Sequence, residues 1–134
     1  LGGVGAYAAE QLCRAGIGEM TIIDGDVVEL TNKNRQLPAL DCNLGKAKAE
    51  IMAGRFRNIN PEIKLHVIND FIRDDRMIEV LKMARYDYIV DAIDTLAPKI
   101  FLIYHSLQLG LPVDGFGGKT GSFENCSGGH FEKL

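Results

Sequence analysis

Hydrophobic positions along this chain fall into short blocks of two kinds, and the alternation between them sets the expected fold. From Val4 to Ala15 they recur at helical spacing, with Val4, Ala8, Leu12 and Ala15 on one face, and Gly16-Ile17-Gly18 ends the helix. Met20 to Ile23 is a compact apolar run of the sort a parallel strand presents when buried on both faces. A second helix is predicted from Gly45 to about Asn58, with Ala49, Met52, Ala53 and Phe56 as its apolar stripe and Asn60-Pro61 as its stop. Leu65 to Ile68 reads as a strand, and Asp74 to Ala84 as an amphipathic helix with Met77, Ile78, Leu81 and Ala84 inward. Tyr88-Ile89-Val90 is a strand running into Asp91-Ala92-Ile93-Asp94. Pro98 then opens a helix to about Leu109, and Leu111-Pro112-Val113 begins another strand.

Strands alternating with helices predict an α/β fold, a Rossmann-like doubly wound and mainly parallel sheet with helices on both faces. Residues 1–114 make its nucleotide-binding domain, and 115–134 form a glycine-rich loop or tail in which no periodicity survives. The first strand of such a sheet is not in the sequence as written. Leu1 opens inside a glycine-rich turn that normally follows that strand, so a further strand is expected ahead of it.

Two stretches resist the pattern, and both carry chemistry. Leu1-Gly2-Gly3-Val4-Gly5 precedes a helix at once. Such a loop offers free backbone N–H groups and the positive end of a helix dipole to a phosphate. Asp24, at the end of the strand that follows, has the spacing of an acid that binds a ribose. The polar run Asp24 to Gln36 is too hydrophilic for core. Asp24 and Asp26 suit a ribose and metal-bound water, and Arg35 suits phosphate oxygens. Lys48 lies in a helix first turn, where a cation opposes the dipole; a solvated face or a bound phosphate accounts for it. Asp91 and Asp94 end a parallel strand, where open α/β sheets bind ligands; Asp94 is expected to hold a metal, and Asp91 either to face the ligand crevice or to cap a helix or loop.

Composition narrows the class. With 46% hydrophobic and 25% charged residues and a formal charge of −3, the chain is globular and not a strongly basic nucleic-acid binder. No apolar run is long enough to span a bilayer. Cys13, Cys42 and Cys126 form no CxxC, which suits a reducing cytoplasm and speaks against a zinc site within this sequence. Cys13 is expected to be packed, His66 to lie on a strand face, and Cys126 beside His130 leaves a nucleophilic reading open.

A nicotinamide cofactor would use the glycine loop and Asp24 but leave Arg35, Lys48 and Asp94 without a role; an NAD-dependent oxidoreductase is therefore the alternative of another class. ATP with Mg2+ uses them all. A grip along the triphosphate without a Walker lysine motif suits attack by a carboxylate on the α-phosphate, giving an acyl-adenylate and pyrophosphate. Arg35 and Lys48 would then stabilise charge on the transferring and leaving groups, with Asp94 on the metal.

The set Leu1-Gly2-Gly3-Val4-Gly5, Asp24-x-Asp26, Thr31-Asn32-x-Asn34-Arg35-Gln36, Gly45-x-x-Lys48 and Asp91-Ala92-Ile93-Asp94 resembles the ThiF/MoeB superfamily of adenylating enzymes, relatives of ubiquitin-activating enzymes. The resemblance implies that Gly2, Gly3, Gly5, Asp24, Asp26, Asn32, Arg35 and Lys48 contact the nucleotide, and that Asp94 coordinates Mg2+. Ala39-Leu40, Ile59-Asn60-Pro61-Glu62, Asp70-Phe71 and Pro98-Lys99 are similar to the tRNA threonylcarbamoyladenosine dehydratase family (TcdA, also called CsdL) within it. That likeness implies a tRNA substrate whose modified adenosine carries the carboxylate, closure of the activated group with net loss of water, and a homodimer. The runner-up within the superfamily is a sulfur-carrier-protein adenylyltransferase of the MoeB/ThiF type, whose partner is a small ubiquitin-like or sulfur-relay protein.

Overall fold

The computed structural model describes residues 1–115. Their order is α1 (Gly5–Arg14), β1 (Glu19–Ile23), α2 (Lys48–Ile59), β2 (Lys64–Ile68), α3 (Asp74–Met83), β3 (Ile89–Asp91), α4 (Leu96–Gln108) and β4 (Val113–Gly115). Strands are parallel in two pairs: β1 with β2, in register from Glu19↔Lys64 to Ile23↔Ile68, and β3 with β4, from Ile89↔Val113 to Asp91↔Gly115. Each pair is joined through helices, which gives the expected Rossmann-like α/β arrangement. Among the described residues the two pairs form separate sheets, each with its own core. Residues 116–134, including Cys126 and His130 and the nucleophilic reading left open there, lie outside the described residues.

The first core gathers Ala6 and Cys13 of α1, Ile22 of β1, Met52, Ala53 and Phe56 of α2, and Ile63. The predicted stripe of α2 is fully inward: Ala49, Met52, Ala53 and Phe56 show no exposed surface. The second core packs Met77 and Leu81 of α3 on Leu102 of α4, flanked by Ile89 and Leu111. A Thr21 Oγ1–Tyr86 hydroxyl hydrogen bond of 3.4 Å ties the two halves together.

Helix α1 turns a different face inward from the one its pattern suggests. Val4 and Leu12 are exposed, while Gly5, Ala6, Glu10 and Cys13 are buried. Two causes are visible. Small residues at Gly5 and Ala6 permit close approach, and Glu10 turns inward because two cations meet it there. Arg14 donates to its Oε1 from Nη2 at 2.8 Å, and Arg55 of α2 donates from Nε to its Oε2 at 2.5 Å. Cys13 is packed as expected, its thiol donating to the Phe56 carbonyl at 3.4 Å.

The Arg55 guanidinium holds the Glu10 carboxyl below the usual carboxylate range, outweighing the opposite effect of burial. A depressed folded-state pKa gives stability that is complete above the unfolded value, about 4.3, and is lost as pH falls through the folded value. Glu10→Gln is therefore expected to cost about 1–2 kcal/mol at neutral pH. Its melting temperature should also fall less steeply than the parent's on going from pH 5 to pH 3, as thermal unfolding across that range will measure.

The polar run after β1 is an ordered excursion. Val28 N–H donates to the Lys46 carbonyl (2.9 Å), Gly45 N–H to the Val28 carbonyl (2.9 Å) and Lys48 N–H to the Asp26 carbonyl (3.0 Å). Residues 26–28 thus run antiparallel to 45–48, with Val27 bridged to Ala47. Gly45 has φ +77°, which a glycine adopts without penalty and a helix cannot contain. Hence α2 begins at Lys48 rather than at Gly45.

Candidate active site

The carboxyl ends of β1 and β3 and the N-terminus of α1 meet at one place. No side chain caps α1, and its first turn carries no acid, so its leading N–H groups are left for a ligand. Asp24 follows β1 directly. Its Oδ1 accepts the Asp26 N–H at 2.7 Å and the backbone nitrogen of Leu1 lies beside its Oδ2, so the start of the glycine loop and the ribose candidate are neighbours. Gly25, between Asp24 and Asp26 in the chain, lies against the Phe71 ring: a Cβ there would stand 2.6 Å from a ring carbon.

Asn32 is buried and its Oδ1 accepts the Glu29 N–H at 2.9 Å, while its carbonyl accepts the N–H groups of Arg35 (3.2 Å) and Gln36 (2.9 Å). The turn that Asn32 pins lays Arg35 over the loop. A Cβ on Gly3 would meet Arg35 Cγ at 3.6 Å, and one on Gly2 would meet Gln36 Nε2 at 3.6 Å. The exposed Arg35 guanidinium donates to the Thr31 carbonyl (3.1 Å) and Asn34 Oδ1 (3.0 Å), and no carboxylate among the described residues neutralises it. An uncommitted guanidinium above an uncapped helix start suits a phosphate.

Lys48 does not belong to a solvated face. It is 5% exposed and opens α2, with Nζ 3.4 Å from Oδ2 of the exposed Asp26. An ammonium has three donors, and here one acceptor among the described residues lies within reach. Burial, the unfavourable dipole position and spare donors together point to an anionic ligand.

On the other side, Gly5 meets the loop after β3: a Cβ at Gly5 would lie 3.0 Å from that of Ala92. Two residues on, Asp94 is exposed and has no hydrogen-bond or ion-pair partner among the described residues. Asp91 differs. It is buried, accepts the Ile93 N–H at 2.9 Å and pairs with Lys99, so it caps the loop and is closed to a ligand. The structure thus lays Arg35 against Gly3 and Gln36 against Gly2, sets Asp24 beside the start of the loop, packs Gly5 on Ala92, and places Lys48 on Asp26. Asp94 stands in the loop that touches Gly5.

Among the described residues no group of three His, Cys, Asp or Glu side chains is placed to hold a metal. A lone free carboxylate still fits Mg2+, which keeps several waters and is held through one or two carboxylates together with substrate phosphates. His66 is a strand-face residue bonded to Glu19 Oε1 at 2.7 Å. Two residues quoted in the sequence motifs were given no role there. Gln36 sits against Gly2 with a buried, unpartnered Oε1, and its position directly after Arg35 was the available signal. Lys99 stood in the Pro98-Lys99 likeness without a role, since its partner is set by tertiary contact.

Residues 1–119 match the ThiF family. Over 124 residues the chain is 45% identical to the tRNA threonylcarbamoyladenosine dehydratase of Escherichia coli K12, covering 92% of this chain and 46% of that protein. The E. coli enzyme TcdA solved in complex with ATP aligns with a TM-score of 0.84 at 46% identity, covering 91% of this chain and 50% of that one. Among more distant relatives is the molybdopterin-synthase adenylyltransferase of E. coli K12, 33% identical over 97 residues, covering 72% of this chain and 38% of that protein. The chain spans about half the length of the curated relatives it matches.

Proposed function

Since the chain belongs to the ThiF family, we propose that it forms the nucleotide-binding part of an ATP-dependent enzyme that adenylates a carboxylate, and that the carboxylate is that of threonylcarbamoyladenosine in a tRNA. The observation that carries this reading is the convergence of an uncapped helix start, a ribose-placed acid and an unneutralised arginine. The dehydratases among the relatives support the choice of substrate.

The steps follow from the chemistry of the groups. Asp24 accepts hydrogen bonds from the ribose hydroxyls. The loop Gly2 to Gly5 lets the backbone approach the phosphates, and its N–H groups donate to their oxygens. A substrate carboxylate oxygen attacks the α-phosphorus, the bond to the β-phosphate oxygen breaks, and pyrophosphate leaves. Arg35 and Lys48 donate to the oxygens on which charge builds. Asn32 holds Arg35 in place through the turn, with its amide nitrogen free to reach a phosphate. The activated group then closes on itself and AMP departs with the oxygen that the substrate loses. Asp94 is the residue that would hold Mg2+, which when bound offsets phosphate charge. The adenylation step needs no general base, because the nucleophile enters ionised; ring closure releases one proton to solvent together with AMP.

A cytoplasmic homodimer is the setting we propose, and among the described residues no helix is long and apolar enough to cross a membrane. Exchange of labelled pyrophosphate into ATP tests the reading: it is expected only when the modified tRNA is present. Asp94→Ala is expected to reduce it about 100-fold or more with the melting temperature unchanged. Full exchange by Asp94→Ala would remove that residue from the site. Exchange driven by the tail of a ubiquitin-like protein instead of the tRNA would favour the adenylyltransferase reading.

A further inference from the structure

The Asp91–Lys99 pair has no part in the proposed chemistry, yet it is the most enclosed ion pair described. The Asp91 side chain has no exposed surface and that of Lys99 has 9%. Both carboxylate oxygens are committed: Oδ2 to the Lys99 ammonium and Oδ1 to the Ile93 N–H at 2.9 Å. Asp91 is the last residue of β3 and Lys99 lies in the first turns of α4, so the pair grips both ends of the loop that carries Asp94. The strand β4 closes over it: a Cβ at Gly115 would stand 3.5 Å from Asp91 Oδ2 and 3.9 Å from Lys99 Nζ.

Helix stability does not explain this lysine, because a cation near a helix start opposes the dipole. Net fold stability is a poor explanation too, since a buried ion pair is seldom better than an apolar pair of the same volume. What the pair does fix is position. The loop it spans packs Ala92 against Gly5 at one residue and projects Asp94, without a partner among the described residues, at another.

We infer that Lys99 is a positioning residue: through Asp91 it sets the loop against the glycine turn and so places Asp94 for the metal that accompanies the nucleotide. This rests on the adenylating reading given above.

The test is calorimetric binding of a non-hydrolysable ATP analogue, with Mg2+ or with a chelator, to the full protein and its variants. In the parent, Mg2+ is expected to tighten binding, and Asp94→Ala to abolish that gain. Lys99→Met is expected to raise the Mg2+ concentration needed by about 10- to 100-fold, the usual cost of losing a group that orients a ligand. Its metal-free affinity should stay at the parent value, and Lys99→Arg should recover most of the gain. If Lys99→Met does not fold, the neutral pair Asp91→Asn/Lys99→Met replaces it and is expected to show the same loss. Parent-like metal dependence in the folded variant would overturn the inference and leave the adenylating reading standing. Equal loss of metal-free and metal-dependent binding would reduce Lys99 to a structural role and also overturn it. Indifference of the parent protein to Mg2+ would overturn both.

Discussion

Arg35→Ala is expected to slow adenylate formation by about 100- to 1,000-fold, the range found when one preorganised donor to a developing charge is removed. Its geometry explains the size. The side-chain stem lies over Gly3, and the guanidinium is anchored by one neutral carbonyl and one amide oxygen, so its charge is available to a phosphate. Removing it should lower kcat and kcat/KM for ATP together, since its contacts strengthen as charge moves to the transferring group. Lys48→Ala should behave alike, with a larger rise in KM, because its ammonium is buried and has spare donors before any reaction begins. Lys48→Arg should recover little: a planar guanidinium does not fit a pocket closed around an ammonium. Single-turnover measurement of AMP and pyrophosphate separates binding from chemistry. Cofactor binding indifferent to both substitutions would return the nicotinamide alternative to consideration.

The second large effect concerns the fold. Phe56→Ala is expected to cost about 3–5 kcal/mol. Phe56 has no exposed surface and sits where α1, α2 and β1 meet, with Met52, Ala53, Ile22 and Cys13 around it. Its backbone carbonyl also receives the Cys13 thiol, so rearrangement to fill the void would disturb a second contact. Domains of this size hold about 5–15 kcal/mol in total, so the loss is a large share. Urea unfolding should show a lower midpoint at an unchanged slope. Arg35→Ala should leave that midpoint where it was. A loss under about 1 kcal/mol for Phe56→Ala would contradict the described core.

What could be read along the chain was what local chemistry dictates. The stripe of α2 was legible because four apolar residues at helical spacing have one place to go. The glycine turn, Asp24 and Arg35 stand out in the sequence because the proposed phosphate and ribose would demand those groups in that order. Long-range partners decided the rest. Lys48 is buried because residues 45–48 fold back on 26–28, and a pairing of that kind leaves no periodic trace. The inward face of α1 is set by Glu10, whose burial depends on Arg55 in another helix. Asp91 is a cap because Lys99 lies against it, and Gln36 meets Gly2 only through the turn that Asn32 pins; neither contact leaves a trace in local spacing.

The most direct test of the central claim is mass spectrometry of nucleosides after the purified protein is incubated with ATP, Mg2+ and tRNA carrying threonylcarbamoyladenosine. The account predicts that the nucleoside becomes one water lighter, with AMP and pyrophosphate formed in equal amounts and no conversion when ATP is withheld. An unchanged nucleoside in a protein that adenylates another carboxylate, or conversion without ATP, would contradict it.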